Sequence, residues 1–160
     1  MSAASMADVG TGGPALIFSV GTLRAAFPLQ YVVETMRPLR VEIFAGAPPF
    51  VHGLSLIRGV PTPVVDLSKL LGKDEHIAPT RFVTLRVGER RVAVAVERVE
   101  GIRELPRQGD QLLPPLLKDA SCGLVAAVET LDADLMMVLC TASIIPEETW
   151  RALEEGDGAH

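Results

Sequence analysis

The chain has 160 residues, a formal charge of -5, 48% apolar and 22% charged residues. These values describe one ordinary globular domain, or two small subdomains sharing a core. They argue against a nucleic-acid binder that works by phosphate neutralisation, because no dense Lys/Arg patch stands out. No apolar run approaches the roughly 18–20 residues of a membrane-spanning helix, so no direct membrane insertion is expected.

Residues 1–13 are rich in Ser, Ala and Gly and read as a disordered leader. Leu16–Val20 and Arg24–Leu29 flank Gly21-Thr22 and read as a hairpin, and Tyr31–Met36 continues in a β-prone register. Val41–Phe44 reads as another short strand. Ala45–Pro49 is a loop, because paired prolines lack donors and restrict the residues before them.

Gly53–Leu67 reads as strand, bend, strand and helix start, with Arg58 its one basic residue. Asp66 is placed to cap a short helix, Leu67–Leu71, ended by Gly72. Gly53 and Gly59 read as backbone requirements, for a close approach or a tight turn. Lys73–Pro79 is a polar connector and the midpoint boundary.

Arg81–Val87 and Arg91–Val96 flank Gly88-Glu89-Arg90 as a second hairpin. Val92, Val94 and Val96 alternate with Ala93 and Ala95, the pattern of a strand buried on both faces. Pro106–Pro115 is loop-rich. Gly123–Val128 and Leu135–Leu139 read as strands around Leu131–Asp134. Pro146 and the acids after it open a terminal helix over 146–155, with a frayed tail at 156–160.

The two halves, 14–79 and 80–147, form a weak internal repeat. Val20-Gly21 matches Val87-Gly88, Gly53-Leu54 matches Gly123-Leu124, and Val64–Leu67 matches Val138–Thr141. Short strands with regular turns imply an all-β fold of two similar small barrels. Counting from the paired glycines sets Arg58-Gly59 opposite Val128-Glu129. Arg58 then belongs to one half alone, which favours function over scaffold.

Parts for catalysis do not assemble in the sequence. His52, His76 and His160 lack ligand spacing, Ser121-Cys122 has no evident base, and Gly10–Gly13 is not followed by a Lys-Ser/Thr pair. No metal or cofactor is expected. Cys122 and Cys140 read as reduced core residues, although spacing alone leaves a disulfide open.

Gly53…Ile57-Arg58-Gly59…Pro63-Val64-Val65-Asp66-Leu67 resembles the signature of the CheW-like domain family. Phe18–Gly21, Val32–Thr35, Thr80-Arg81 and Val96–Val99 fit the same pattern, over about residues 15–147. Two departures are Leu56, where asparagine is usual, and Leu139-Cys140, where the family has Leu-Asp. The resemblance implies two five-stranded SH3-like barrels around a shared hydrophobic core, without enzymatic activity. It implies a cytoplasmic adaptor coupling the helical tip of a chemoreceptor to the regulatory, CheW-like domain of a chemotaxis histidine kinase. Other CheW-like chains in rings are further partners, and a pilus-motility pathway is an alternative setting. From another class, a small-barrel ligand- or nucleic-acid-binding protein competes with it.

Gly53, Gly59, Pro63 and Asp66 are the structural part of the motif. Val32, Glu34 and Arg58 are the partner-binding residues that the resemblance implies. On residue chemistry alone Arg58 either ties loop carbonyls together or presents its fork to a partner's carboxylate. Glu34 is either a solvated strand-end acid or a contact.

Overall fold

The computed structural model describes residues 12–43, 45–72, 78–105 and 124–158. The described residues form ten strands, all but the charged β8 on apolar runs: β1 (Gly13–Val20), β2 (Leu23–Pro28), β3 (Val32–Met36), β4 (Val51–Ile57), β5 (Val60–Asp66), β6 (Arg81–Val87), β7 (Arg90–Val96), β8 (Arg98–Leu105), β9 (Val125–Leu131) and β10 (Asp134–Leu139). Two helices, α1 (Leu67–Leu70) and α2 (Glu147–Gly158), and 3-10 turns at Leu29–Tyr31 and Thr141–Ser143 complete the described chain.

The strands form two five-stranded sheets, ordered β8-β1-β2-β10-β9 and β3-β6-β7-β5-β4. Each is a small SH3-like barrel, here barrel A and barrel B. The sheets do not coincide with the sequence halves. Hairpin β1–β2, from the first half, pairs with β8 and β10 of the second. Hairpin β6–β7, from the second half, pairs with β3 and β5 of the first. The repeat therefore exchanges its hairpins reciprocally.

Alternation of side chains explains the layers. On β1, Leu16, Phe18 and Val20 enter a core shared by both barrels, while Ala15 and Ile17 face the interior of barrel A. On β7, Val92, Val94 and Val96 enter the shared core and Ala93 faces the interior of barrel B. The expected two-sided burial of β7 holds. Phe18 stacks on Phe27 with ring centroids 4.7 Å apart inside the shared core. Burial of each such large apolar side chain contributes about 1.5–3 kcal/mol.

Helix α2 covers one side of that core with Trp150 and Leu153. Arg90 pins it from outside, 5.0 Å above the Trp150 ring, with ion pairs to Glu147 at 2.8 Å and Glu154 at 3.0 Å. The helix continues to Gly158, past the fraying expected from Gly156. A glycine costs about 1 kcal/mol in a helix and does not by itself end one. Residues 159 and 160 lie outside the described residues, as do residues 1–11 of the expected leader, most of the expected connector (73–77) and residues 106–123, which include the stretch expected to be loop-rich (106–115), Ser121 and Cys122; His76 is likewise outside. Cys140 is buried with its thiol free.

Two further expectations change. Strand β8 was not anticipated; its pattern is charged and mostly exposed, because it is an edge strand with one neighbour. The strand expected over 41–44 shrinks to a single bridge, Glu42 to Leu54, with Phe44 outside the described residues. That crossing explains Gly53. A Cβ there would collide with the Glu42 carbonyl oxygen, so only glycine admits the passing chain.

The other motif residues also serve the backbone. The Asp66 carboxylate accepts from the Lys69 amide at 3.3 Å and caps α1. Pro63 lies where β5 has β4 beside it but has not yet met β7, whose pairing begins at Val64. Its missing N–H therefore costs no ladder bond on the β7 side. Arg58 and Gly59 form the two-residue turn between β4 and β5, with φ of 53° and 79°. Two positive φ values match the twist of a tight hairpin.

Candidate functional site

Strands β3 and β4 are the two edges of barrel B. The β4–β5 turn carries Arg58 across the gap between them to Glu34 on β3. Its Nη2 donates to Oε1 at 2.7 Å and its Nε to Oε2 at 3.1 Å, a two-pronged pair. Glu34 is held in place by its own backbone. Its N–H donates to the Thr84 hydroxyl at 3.2 Å, and that hydroxyl donates back to its carbonyl at 3.2 Å. The Arg58 hydrogen bond, with lesser attraction from Arg58 and Arg91, holds the Glu34 carboxyl below the usual carboxylate range.

Two of the three expected contact residues are thus brought together, and the arginine's fork is directed within the chain. It neither ties loop carbonyls nor points outward unpaired. Its side chain is still 71% exposed, against 25% for Glu34. Val32 lies two residues before Glu34, half-buried and packed on the shared core.

The structure corrects the argument that Arg58 has no counterpart. The Asp66 N–H bonds to the Phe50 carbonyl at 2.8 Å, and the Cys140 N–H to the Leu124 carbonyl at 2.7 Å. Phe50 therefore corresponds to Leu124, and the pairing of Gly53-Leu54 with Gly123-Leu124 fails by four positions; Gly123 itself lies outside the described residues. With the register set by these bonds, Arg58-Gly59 faces Asp132-Ala133. Those residues form the β9–β10 turn and also have positive φ, 53° and 68°.

Barrel A has a bracket of its own with the charges reversed. Asp132, on the turn, meets Arg103 on edge strand β8 at 3.2 Å. Arg24, mostly buried, adds contacts to Glu100 at 2.8 Å and Asp132 at 3.6 Å. Both barrels are therefore closed by an ion pair from a hairpin tip to the opposite edge. In barrel B the tip is the cation; in barrel A it is the anion.

Sequence reasoning missed the apolar flank of the Arg58–Glu34 pair. Leu56 is 67% exposed and Val60 53% exposed, one on each strand beside the turn. Leu56 follows Leu54 on the outward side of β4, so period-2 alternation was the available signal. Among the described residues no cluster of three or more His, Cys, Asp or Glu is placed to hold a metal. No described helix is long and apolar enough to cross a membrane.

Alongside the exchanged hairpins, the twin barrels and the motif around Arg58, residues 14–149 match the CheW-like domain family. The chain belongs to that family, whose members are non-catalytic scaffolds. It is 36% identical over 106 residues to Protein FrzA of Myxococcus xanthus, covering 65% of this chain and 66% of FrzA, just under two thirds of its length. It is also similar to the crystal structure of the scaffolding protein TtCheW from Thermoanaerobacter tengcongensis, with a TM-score of 0.73. That match covers 83% of this chain and 92% of the other at 17% identity, a likeness of fold.

Proposed function

We propose that the chain is a cytoplasmic adaptor that couples a chemoreceptor's helical tip to the regulatory domain of a chemotaxis-type histidine kinase. The observation that carries this reading is the exposed Arg58–Glu34 pair flanked by Leu56 and Val60. An exposed apolar flank around a fixed charge pair suits a protein partner: apolar area supplies affinity and the pair supplies register. Val32, on the neighbouring edge strand, adds apolar area toward a receptor helix. The adaptor then works by placement of its partners, with multivalency in an array raising weak contacts to useful strength.

Co-purification with the receptor tip and the kinase regulatory domain tests it. Arg58→Glu is expected to weaken capture at least about tenfold. The circular dichroism spectrum should stay unchanged and Tm should stay within about 3 °C, because exposed pairs contribute little to stability. Large-scale unfolding would assign Arg58 to the scaffold alone. The swapped double variant Glu34→Arg/Arg58→Glu separates two roles. Restored capture means the pair positions the hairpin, and continued loss means that Arg58 itself touches the partner.

A further inference from the structure

Barrel B is open at the end away from Arg58. Its interior cluster is small: Ile57, Val64, Phe82 and Ala93, with Met36, Val41 and Ala95 beside them. A cavity of about 250 Å³ enters it between the ends of β5, β6 and β7 and the segment 38–41. Val41, Val64, Phe82 and Ala95 form its apolar walls, and His52, Asp66 and Glu97 stand among its lining residues.

Barrel A carries larger residues at two matching positions among the described residues. By the register of the two hairpins, the lining residue Pro38 corresponds to Leu105, and Thr62, which is buried but outside the lining, corresponds to Met136. Met136 and Leu105 are both buried in the interior of barrel A. Asp66 corresponds to Cys140 and His52 to Ala126, so two of the three ionisable lining residues have no ionised counterpart in barrel A.

We propose that this cavity is a binding site for a small organic amine with an apolar body of one or two rings. Three observations choose that class. The volume exceeds the roughly 150 Å³ of an apolar cavity that admits benzene. The walls are apolar, as expected of a site that buries a ring. The ionisable lining residues are two carboxylates and a histidine, with no lysine or arginine among the described ones. Each carboxylate already spends one oxygen on the backbone, Asp66 Oδ1 on the Lys69 amide and Glu97 Oε1 on the Gly21 amide. Those bonds fix the carboxylates and leave each a second oxygen for an ammonium donor. The carboxylates of the site lie away from the Arg58 turn: six residue steps of β5, about 20 Å, separate Val60 from Asp66, and ligand binding is measured without the partners, so the two readings are tested separately.

The test is an amide-resolved NMR titration of the full chain with 2-phenylethylamine, and with 3-phenylpropionate as the probe of equal shape and opposite charge. Saturable shifts centred on Val41, Val64, Ala95 and Glu97 are expected for the amine, with the carboxylate at least about tenfold weaker. Val41→Phe, which fills the cavity from its rim, should abolish binding while the remaining spectrum is kept. Should that variant lose its fold, Ala95→Val serves the same purpose. Asp66→Asn with Glu97→Gln, retaining the helix cap, should weaken the amine at least about fivefold. Absent or scattered shifts, equal binding of the two probes, or undiminished binding to the filled variants would overturn the proposal.

Discussion

Barrels A and B share a backbone and differ in what fills it. Their strand order is the same once hairpin β6–β7 is read in place of β1–β2. Each has an extra residue at the same step of its edge strand, Glu100 on β8 and Val33 on β3. Each has another in the following hairpin, Ala126 on β9 and His52 on β4. Both close with a two-residue turn of positive φ. The side chains part company: Met136 and Leu105 lie buried in one interior at positions where the other has the smaller Thr62 and Pro38, and the closing ion pair reverses its charges. Bulges and turns bend the sheets, so their positions are retained. The filling and the sign of the bracket are free to vary, which is where the two ends of the molecule acquire different chemistry.

The largest effect is expected from separating the repeats. A chain cut between Leu71 and Thr80 should yield two fragments that are each unfolded by circular dichroism and regain structure when mixed, because each barrel needs the other half's hairpin. Independent folding of either fragment would refute the exchange.

A smaller effect distinguishes the corresponding positions Gly53 and Ala127. Gly53→Ala sets a Cβ against the Glu42 carbonyl and should cost about 1–3 kcal/mol in urea unfolding. Ala127→Gly loses a buried methyl and adds chain entropy, at about 1 kcal/mol.

The smallest effects lie in pH dependence, and the two barrels should differ in sign. Glu34 in barrel B has a lowered pKa, so its stabilisation is present above the ordinary carboxylate range and is lost as pH falls through its folded value. Glu129 in barrel A is pushed upward by burial, so its contribution is present at low pH and is lost as pH rises from the ordinary range through its raised value. Glu34→Gln should lower Tm at pH 7 and do little at pH 3. Glu129→Gln should raise Tm at pH 7 and do little at pH 3. Equal slopes of Tm against pH for the two variants would refute the assignment.

Much of this architecture was legible in the chain. The Val-Ala alternation of β7, the glycine turns after Val20 and Val87, and the Asp66 cap follow from local rules that act within a few residues. The family motif carried the barrels and the shared core. The ion-pair brackets were not legible, since their partners lie 24 and 29 residues apart and meet only when the sheets close. The repeat was misaligned for a related reason. Gly53 answers to a chain segment crossing it at Glu42, a demand that Ala127 does not share, so a glycine was a poor marker of register. Strand β8 escaped notice because an edge strand buries too little of itself to show alternation.

The exchanged hairpins have a mechanical consequence. Among the described residues the chain passes between barrels at two places, the turn at Leu29–Tyr31 and the single residue Glu97 between β7 and β8. Such short spans leave no hinge, and the shared core fills the space in which a hinge would swing. The short connections and the shared core together resist a change of angle between the barrels, so a force on one barrel is carried into the other through packed side chains.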